Sequence, residues 1–272
     1  MDMDTATYQR WLADTRRFWD ATSPFEARYR RICSSPRFDA TTDASVLADL
    51  WDEETQAALP RILKGITPGS DWTCLEIGCG IGRLMKPLAA RCGYVIGVDL
   101  SERMVTWSRS YLANTPNVDV RLNDGRTLSG VADGSVDFVY SHLAFQHITL
   151  FEVVESYLRE IARVLKPSGC CRIQNWRDQR KPVTESIKDV IRPMLGRGRY
   201  RSSRCWQWRD GRRVAFGGVT YHPRQWRRVM RRCGLRVVSM ELGQGHDYWM
   251  WTTGIPVTTR HAVNAASAPN RI

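Results

Sequence analysis

Residues 74–84, CLEIGCGIGRL, place three glycines in five positions (Gly78, Gly80, Gly82) directly after an apolar run that carries one acid, Glu76. Glycine admits positive φ and lets a ligand approach the main chain. A glycine turn between a strand and a helix also aims backbone N–H groups and the positive end of the helix at a bound molecule. A dinucleotide turn, G-x-G-x-x-G, would need its third glycine at 83, where Arg83 stands, and the Lys-Ser/Thr of a Walker loop is absent.

Two further acids extend the pattern. Asp99 lies 21 residues beyond Gly78 at the end of a second apolar run, placed to accept from two ribose hydroxyls. Asp124 follows a third run, where a carboxylate can accept from an exocyclic adenine amine. A nucleoside with a cationic, amino-acid-like remainder fits these acids, and S-adenosylmethionine is such a molecule.

Positioning these residues takes alternating strands and helices. From Trp72 the pattern predicts strands DWTCLEIG, YVIGVDL, VDVRLN and DGSVDFVYSHL, with helices over 82–91 and 101–113. A helix over 150–165 ends before the Pro167 and Gly169 of KPSG, and CCRIQNW is the fifth strand. This order implies a doubly wound α/β fold with a mainly parallel sheet, whose ligands bind at the strand carboxyl ends.

Around this core, residues 69–176, the flanks are distinct. Residues 1–68 read as aromatic-rich helices, with Tyr8, Trp11, Leu12, Thr15, Phe18 and Trp19, then Leu47, Leu50 and Trp51, at helical spacing. They serve either as core packing or as a helical lid. Residues 177–221 form a basic, tryptophan-bearing insertion after the fifth strand. Residues 222–258 supply a last helix, HPRQWRRVMRRCG, and strands six and seven, LRVVSMEL and HDYWMWTTG. The small polar residues 259–272 read as a flexible tail.

Composition narrows the class. The 272 residues carry a net charge of +12, and 43% are hydrophobic. Residues 1–176 hold 20 basic and 22 acidic side chains, whereas 177–236 hold 18 and 4. Any attraction to an anionic partner is therefore confined to one segment. No apolar run approaches the roughly 18–20 residues that span a bilayer, and the acidic, polar start is unlike a secretory signal. These features predict a cytoplasmic chain with no membrane partner. The eight cysteines form no C-x-x-C pair, so neither a metal site nor a disulfide framework is expected.

In unbroken order over about residues 70–176, five segments resemble the motifs of the class I S-adenosylmethionine-dependent methyltransferases, which have a seven-stranded Rossmann-like fold. They are LEIGCGIGRL, VIGVDLSERMV, NDGRTL, DGSVDFVYSHLAFQHI and YLREIARVLKPSG. The resemblance implies that Glu76 orients the glycine loop or meets the methionine ammonium. It implies that Gly78, Gly80 and Gly82 admit the amino-acid portion, and that Arg83 binds its carboxylate. Asp99 would hold the ribose, and Ser101 and Met104 would lie by the adenine. Asp124 would read its amine beside Gly125 or Arg126, and Ser141 and His142 would face the sulfonium.

The methyl acceptor is less marked. A D/N-P-P-Y/F motif after strand four, a nucleophilic cysteine there and a paired-glutamate loop are all absent, which favours a small polar molecule such as a sugar, glycoside or other specialised metabolite. His147, in HLAFQHI, is the candidate general base for a hydroxyl, because an imidazole near its ordinary pKa of about 6.5 accepts a proton at neutral pH. His222 is a second candidate, although its place before a helix also suits a cap. Gln146, Gln174, Asn175, Trp176 and Tyr221 are candidate acceptor contacts. An N-methyltransferase, an RNA methyltransferase using the basic segment, and a non-catalytic S-adenosylmethionine-binding protein are the alternatives. A homodimer is one assembly left open. No nucleic-acid signature accompanies the basic segment, so RNA binding should be weak, indifferent to sequence and steeply reduced by salt. A salt-resistant RNA complex in anisotropy titrations would overturn that expectation.

Overall fold

The computed structural model describes residues 4–22, 43–177, 202–209, 212–243 and 249–257. Two N-terminal helices, α1 (Thr5–Asp20) and α2 (Ala44–Ile62), precede the sheet. The alternating core follows: β1 (Thr73–Ile77), α3 (Met85–Ala89), β2 (Tyr94–Asp99), α4 (Glu102–Tyr111), β3 (Val118–Leu122), β4 (Val136–Ser141), a single 3₁₀ turn Phe145–His147, α5 (Phe151–Val164) and β5 (Leu165–Arg177). The hairpin β6 (Ser202–Arg209) and β7 (Arg212–Tyr221), α6 (Pro223–Arg232), β8 (Leu235–Leu242) and β9 (Trp249–Pro256) complete it.

Five parallel strands run β3-β2-β1-β4-β5, and β9 then pairs antiparallel with both β5 and β8. Seven of these strands form the expected doubly wound, mainly parallel arrangement, and the hairpin β6–β7 joins through β5, so the sheet has nine strands rather than seven. It has a topological switch between β1 and β4, and the ligand crevice belongs at the carboxyl ends there. The strands β1 and β4 are buried along nearly their whole length, as apolar runs covered on both faces require.

The helices hold the two faces. The apolar stripe of α5 (Val153, Val154, Tyr157, Leu158, Ile161, Val164) packs on one face with Trp226, Val229 and Met230 of α6. On the other face, Leu59 and Ile62 of α2 and Met85 and Leu88 of α3 join Cys74, Phe138, Tyr140 and Trp251. The cysteines at 74, 79, 92, 171 and 233 are buried free thiols, so they act as small apolar side chains.

Three element boundaries differ from expectation. The helix after the glycine loop covers Met85–Ala89 rather than 82–91, because the loop runs on as turns through Leu84. The fifth strand starts at Leu165, before Pro167 and Gly169, since Leu165 already pairs with Val136 and Lys166 binds Asp137 at 2.8 Å. The basic insertion contains a hairpin that pairing alone defines: Trp176 and Arg177 of β5 meet Thr220 and Tyr221 of β7 in parallel register. Residues 178–201 and the tail 258–272 lie outside the described residues.

Arg172 crosses from β5 as a buried cation. Its guanidinium donates to Arg61 O at 2.7 Å, Thr253 Oγ1 at 2.9 Å and Glu241 Oε1 at 3.0 Å, and it lies over the Trp251 ring. It thus ties α2 to β8 and β9. Arg172→Ala should cost about 3 kcal/mol, since it opens a cavity and removes three bonds at once. Glu241→Ala should cost less, about 2 kcal/mol, because it leaves the buried Arg172 cation without its carboxylate but keeps its bonds to Arg61 O and Thr253 Oγ1 and opens no core cavity. Urea midpoints for the two variants check the ranking, and equal losses would refute it.

Candidate functional site

The glycine loop leaves β1 and curls against the end of β2. The amides of Gly78 and Cys79 both donate to Val98 O, at 2.8 and 3.1 Å. The amide of Gly80 donates to Asp99 Oδ2 at 2.8 Å, and that of Ser101 to Oδ1 at 3.0 Å. Gly78, Gly80 and Gly82 all have positive φ. A Cβ on Gly78 would sit 2.4 Å from the Ala144 methyl, and one on Gly82 would meet Leu112 and Ser108 at 2.6 Å. Positions 78 and 82 have no room for a side chain.

Beneath and beside it lies one cavity of about 950 Å³, its open mouth included. Its walls include Glu76, Gly78, Gly80, Arg83, Asp99, Met104 and Gly125 from the cofactor-type positions, and His142 and His147 from the loop after β4. Trp11, Thr15 and Trp19, four residues apart on one stripe of α1, form its roof.

The charges are arranged by burial. Glu76 accepts from Tyr140 Oη at 2.9 Å, and loss of water around its carboxyl pushes its pKa up to about 8, with Arg83 pulling the other way. Arg83 is buried, donates to Thr55 Oγ1 at 3.3 Å and lies over the Trp51 ring. Its Nε has no hydrogen-bond partner among the described residues. Burial also raises Asp99, against the pull of its backbone donors. Each Asp99 oxygen accepts one amide, and an ionised carboxylate offers about four lone-pair sites. Capacity for further donors remains.

The N-terminal helix is hung from the loops after β2 and β3. Arg16 donates to Leu100 O at 3.1 Å and Asn123 O at 3.3 Å, and Tyr8 Oη donates to Asp124 O. Asp20 accepts from Ser101 Oγ at 2.6 Å. Asn123 is the hub of the second loop: its Oδ1 takes Tyr157 Oη at 2.6 Å and the Gly125 amide at 2.7 Å.

Several expected site residues have structural duties instead. Ser101 caps α4 through Met104 N and binds Asp20, so only Met104 of that pair reaches the cavity. The Asp124 carboxylate is taken up by its own turn, accepting from Arg126 N, Thr127 N and Thr127 Oγ1. Arg126 lies over the Tyr8 ring, outside the cavity. Ser141 Oγ donates to Ile77 O, joining β4 to β1.

The acceptor candidates divide in the same way. His222 is the N-cap of α6: its Nδ1 accepts from Arg224 N in a capping box with Gln225, and it does not line the cavity. Tyr221 is buried against Trp226 and Phe151. Asn175 is buried, with its Oδ1 on the Trp176 amide. Gln146 contacts the His147 ring at 3.2 Å, and Trp176 packs its edge against His147 at 5.9 Å, both behind the cavity wall. Gln174 accepts from Leu143 N at 3.0 Å, which holds Leu143 at φ 58°.

His147 does line the cavity, between Trp19 at 5.8 Å and Trp176. Burial pushes its pKa down to about 3 rather than leaving it near its ordinary value. His142 stacks on Trp251 and falls to about 3 as well, through burial and the charges of Arg83 and Arg61. Both rings are neutral at physiological pH. Among the described residues, no cluster of three or more His, Cys, Asp or Glu could hold a metal ion, and no helix is long and apolar enough to cross a membrane.

The helical spacing of Trp11, Thr15 and Trp19 admits either core packing or a lid, and in the structure these three residues line the cavity. Sequence alone does not mark Asn123, Tyr157 and Leu143, whose roles rest on long-range bonds and one backbone angle.

Residues 75–173 match the family model described as a methyltransferase domain. The 2-methyl-6-phytyl-1,4-hydroquinone methyltransferase of a Synechocystis strain is 34% identical over 139 residues, 49% of this chain and 41% of that protein. An uncharacterized 37.1 kDa protein in transposon TN4556 of Streptomyces fradiae is 35% identical over 138 residues, 48% of this chain and 34% of that protein. The chain thus spans well under half the length of these two curated relatives. Among solved structures, geranyl diphosphate C-methyltransferase of Streptomyces coelicolor A3(2), in complex with Mg²⁺, geranyl diphosphate and S-adenosyl-L-homocysteine, aligns with a TM-score of 0.58. The alignment covers 91% of this chain and 98% of that one at 16% identity, a likeness of fold.

Glu76 generates a pH test. Its folded pKa is raised, so the stability it contributes is fully present below its unfolded pKa and is lost as pH rises towards 8. Ligand-free protein should lose on the order of 4 kcal/mol from this group between about pH 4.5 and 8. Glu76→Gln cannot ionise and should escape that loss. Urea unfolding of both proteins across this range reads the difference, and parallel curves would show that Glu76 does not titrate there.

Proposed function

We propose that this chain, whose residues 75–173 are a class I methyltransferase domain, binds S-adenosylmethionine in the α1-roofed cavity and methylates a hydroxyl of a small molecule. The observation that carries the cofactor assignment is the match between cavity and cation. A glycine-rich loop lies among one buried carboxyl (Glu76), one half-buried carboxyl (Asp99) and a buried guanidinium whose Nε–H has no partner among the described residues.

Each wall residue then has a duty. Asp99, which lines the cavity and whose oxygens are not filled by the backbone amides of its own loop, would take the ribose hydroxyls. Arg83 would pair with the carboxylate of the amino-acid portion. Glu76 would meet its ammonium, giving up a proton as the nearby positive charge favours the ionised form. Met104, Leu100, Trp11 and Gly125 supply the apolar surround for a purine. The Asp124 side chain is not needed for this, being held in its turn.

When bound, S-adenosylmethionine supplies an electrophilic methyl whose C–S bonding pair stays on sulfur as the methyl passes to the acceptor oxygen. The chain contributes position and dryness. Orienting two reactants in one cavity supplies about 7–11 kcal/mol in favourable cases. His147, the ionisable side chain set between Trp19 and Trp176, would receive the hydroxyl proton; such a role is worth about 10²- to 10⁴-fold when the pKa lies near the operating pH, and the lowered pKa of His147 puts it at the low end of that range. Its neutral imidazole is the form that can accept.

Calorimetry with S-adenosylhomocysteine tests the cofactor assignment. The wild type should bind, and Asp99→Ala should bind at least tenfold more weakly, about 1.4 kcal/mol. Unchanged affinity would reject the ribose role. Once an acceptor is identified, His147→Ala should depress kcat strongly while S-adenosylhomocysteine affinity stays near wild type. A kcat within about threefold of wild type would reject the base role, since a base contributes about 10²-fold or more.

A further inference from the structure

We infer that the acceptor is a flat, conjugated hydroxyl compound, a phenol or enol, seated against Trp19 and the loop that follows β4. The inference rests on the cofactor assignment above and concerns the other part of the same cavity. Charged side chains of the wall are Glu76, Arg83 and Asp99, all on or beside the glycine loop and β2. The wall to which His147 belongs is built from Trp19, His142, Leu143, Ala144, Phe145 and Ile148, so that its polar side chains are two imidazoles.

That wall is poor in polar partners. The Leu143 amide is already held by Gln174, and the His147 amide by Ala144 O. A saccharide would bring several hydroxyls, and each one left unpaired in a buried site costs about 1–3 kcal/mol. A flat ring loses nothing of that kind. It gains about 25 cal/mol per Å² of apolar surface removed from water. Edge-to-face contact with an aromatic wall adds about 0.5–1.5 kcal/mol, and the Trp19 and His147 rings already meet at 65°.

Proton chemistry points the same way. Burial makes the His147 ring hard to protonate, with its pKa near 3. An aliphatic hydroxyl resembles water, whose pKa is about 15.7, whereas a phenolic hydroxyl has a pKa of about 10. The phenol therefore narrows the proton-transfer gap by roughly five to six powers of ten. A weak base needs an acidic acceptor.

The experiment is a binding titration that requires no turnover. Protein saturated with S-adenosylhomocysteine is titrated by calorimetry with 2-naphthol and, separately, with methyl β-glucoside. We expect 2-naphthol to bind and the glucoside not to. Trp19→Leu should weaken 2-naphthol about fivefold or more, the scale of one lost aromatic contact, and Trp19→Phe should recover most of the loss. S-adenosylhomocysteine affinity in the same variants reports whether the site still folds. If 2-naphthol fails to bind loaded wild-type protein at about 1 mM, a free energy of about −4 kcal/mol, the inference is overturned. Preference for the glucoside, or 2-naphthol binding indifferent to Trp19, overturns it too. Failure of S-adenosylhomocysteine itself to bind would instead strike the cofactor assignment.

Discussion

The Gly80 amide donates to the Asp99 carboxylate, and the site is arranged around that contact. It draws the loop after β1 onto the end of β2, where Val98 O takes two more amides from the same loop. The bonds require backbone N–H groups on the inner side of a tight turn with three positive φ angles. Side chains would collide there, as the Ala144 methyl shows beside Gly78. A partly desolvated carboxyl is costly unless it is paired or hydrogen-bonded, and backbone amides make the half-buried Asp99 tolerable at the sheet edge. The same carboxylate lines the cavity.

From this centre the rest of the site follows by attachment. Asp99 precedes the loop whose carbonyl, Leu100 O, receives Arg16, and Asn123 O receives the other arm of the same guanidinium. One arginine of α1 thus spans both loops that end β2 and β3. The roof and the floor are therefore coupled: anything that orders those two loops also orders α1, and the effect is reciprocal. On the opposite wall, Gly78 packs on Ala144, while Gln174 of β5 holds the Leu143 amide. The loop that carries His147 is thereby braced between the first and fifth strands.

Burial also decides the character of the ionisable groups. Glu76 is pushed towards its neutral acid, and His142 and His147 towards neutral imidazoles. Desolvation favours the uncharged form of each of these three groups. Polar side chains that the sequence brings near the site are used as fasteners: Ser101, Asp124, Ser141 and His222 all bind backbone donors or acceptors. Short polar side chains next to turns and helix starts commonly do this.

The order of strands and helices, the glycine loop and the acids Glu76 and Asp99 were legible in the sequence, because each rests on local rules. Apolar runs of four to eight residues specify strands, three-to-four spacing specifies helices, and clustered glycines specify a turn that side chains cannot make. The tertiary structure decided which polar residues face the cavity. Asp124 and Ser101 stand at the positions a nucleoside would meet, yet their oxygens are engaged within a turn or with α1, and spacing carries no record of where a side chain's hydrogen bonds go. The roof was equally undecidable from spacing, since the stripe Trp11, Thr15 and Trp19 would suit any buried face. It became a wall of the site only because Arg16, Tyr8 and Asp20 find partners some 80 to 116 residues away. The lowered pKa of His147 likewise comes from burial by groups distant in the chain, including Trp19 and Trp176. Local geometry is written in neighbouring residues, whereas desolvation and hydrogen-bond satisfaction belong to the packed whole.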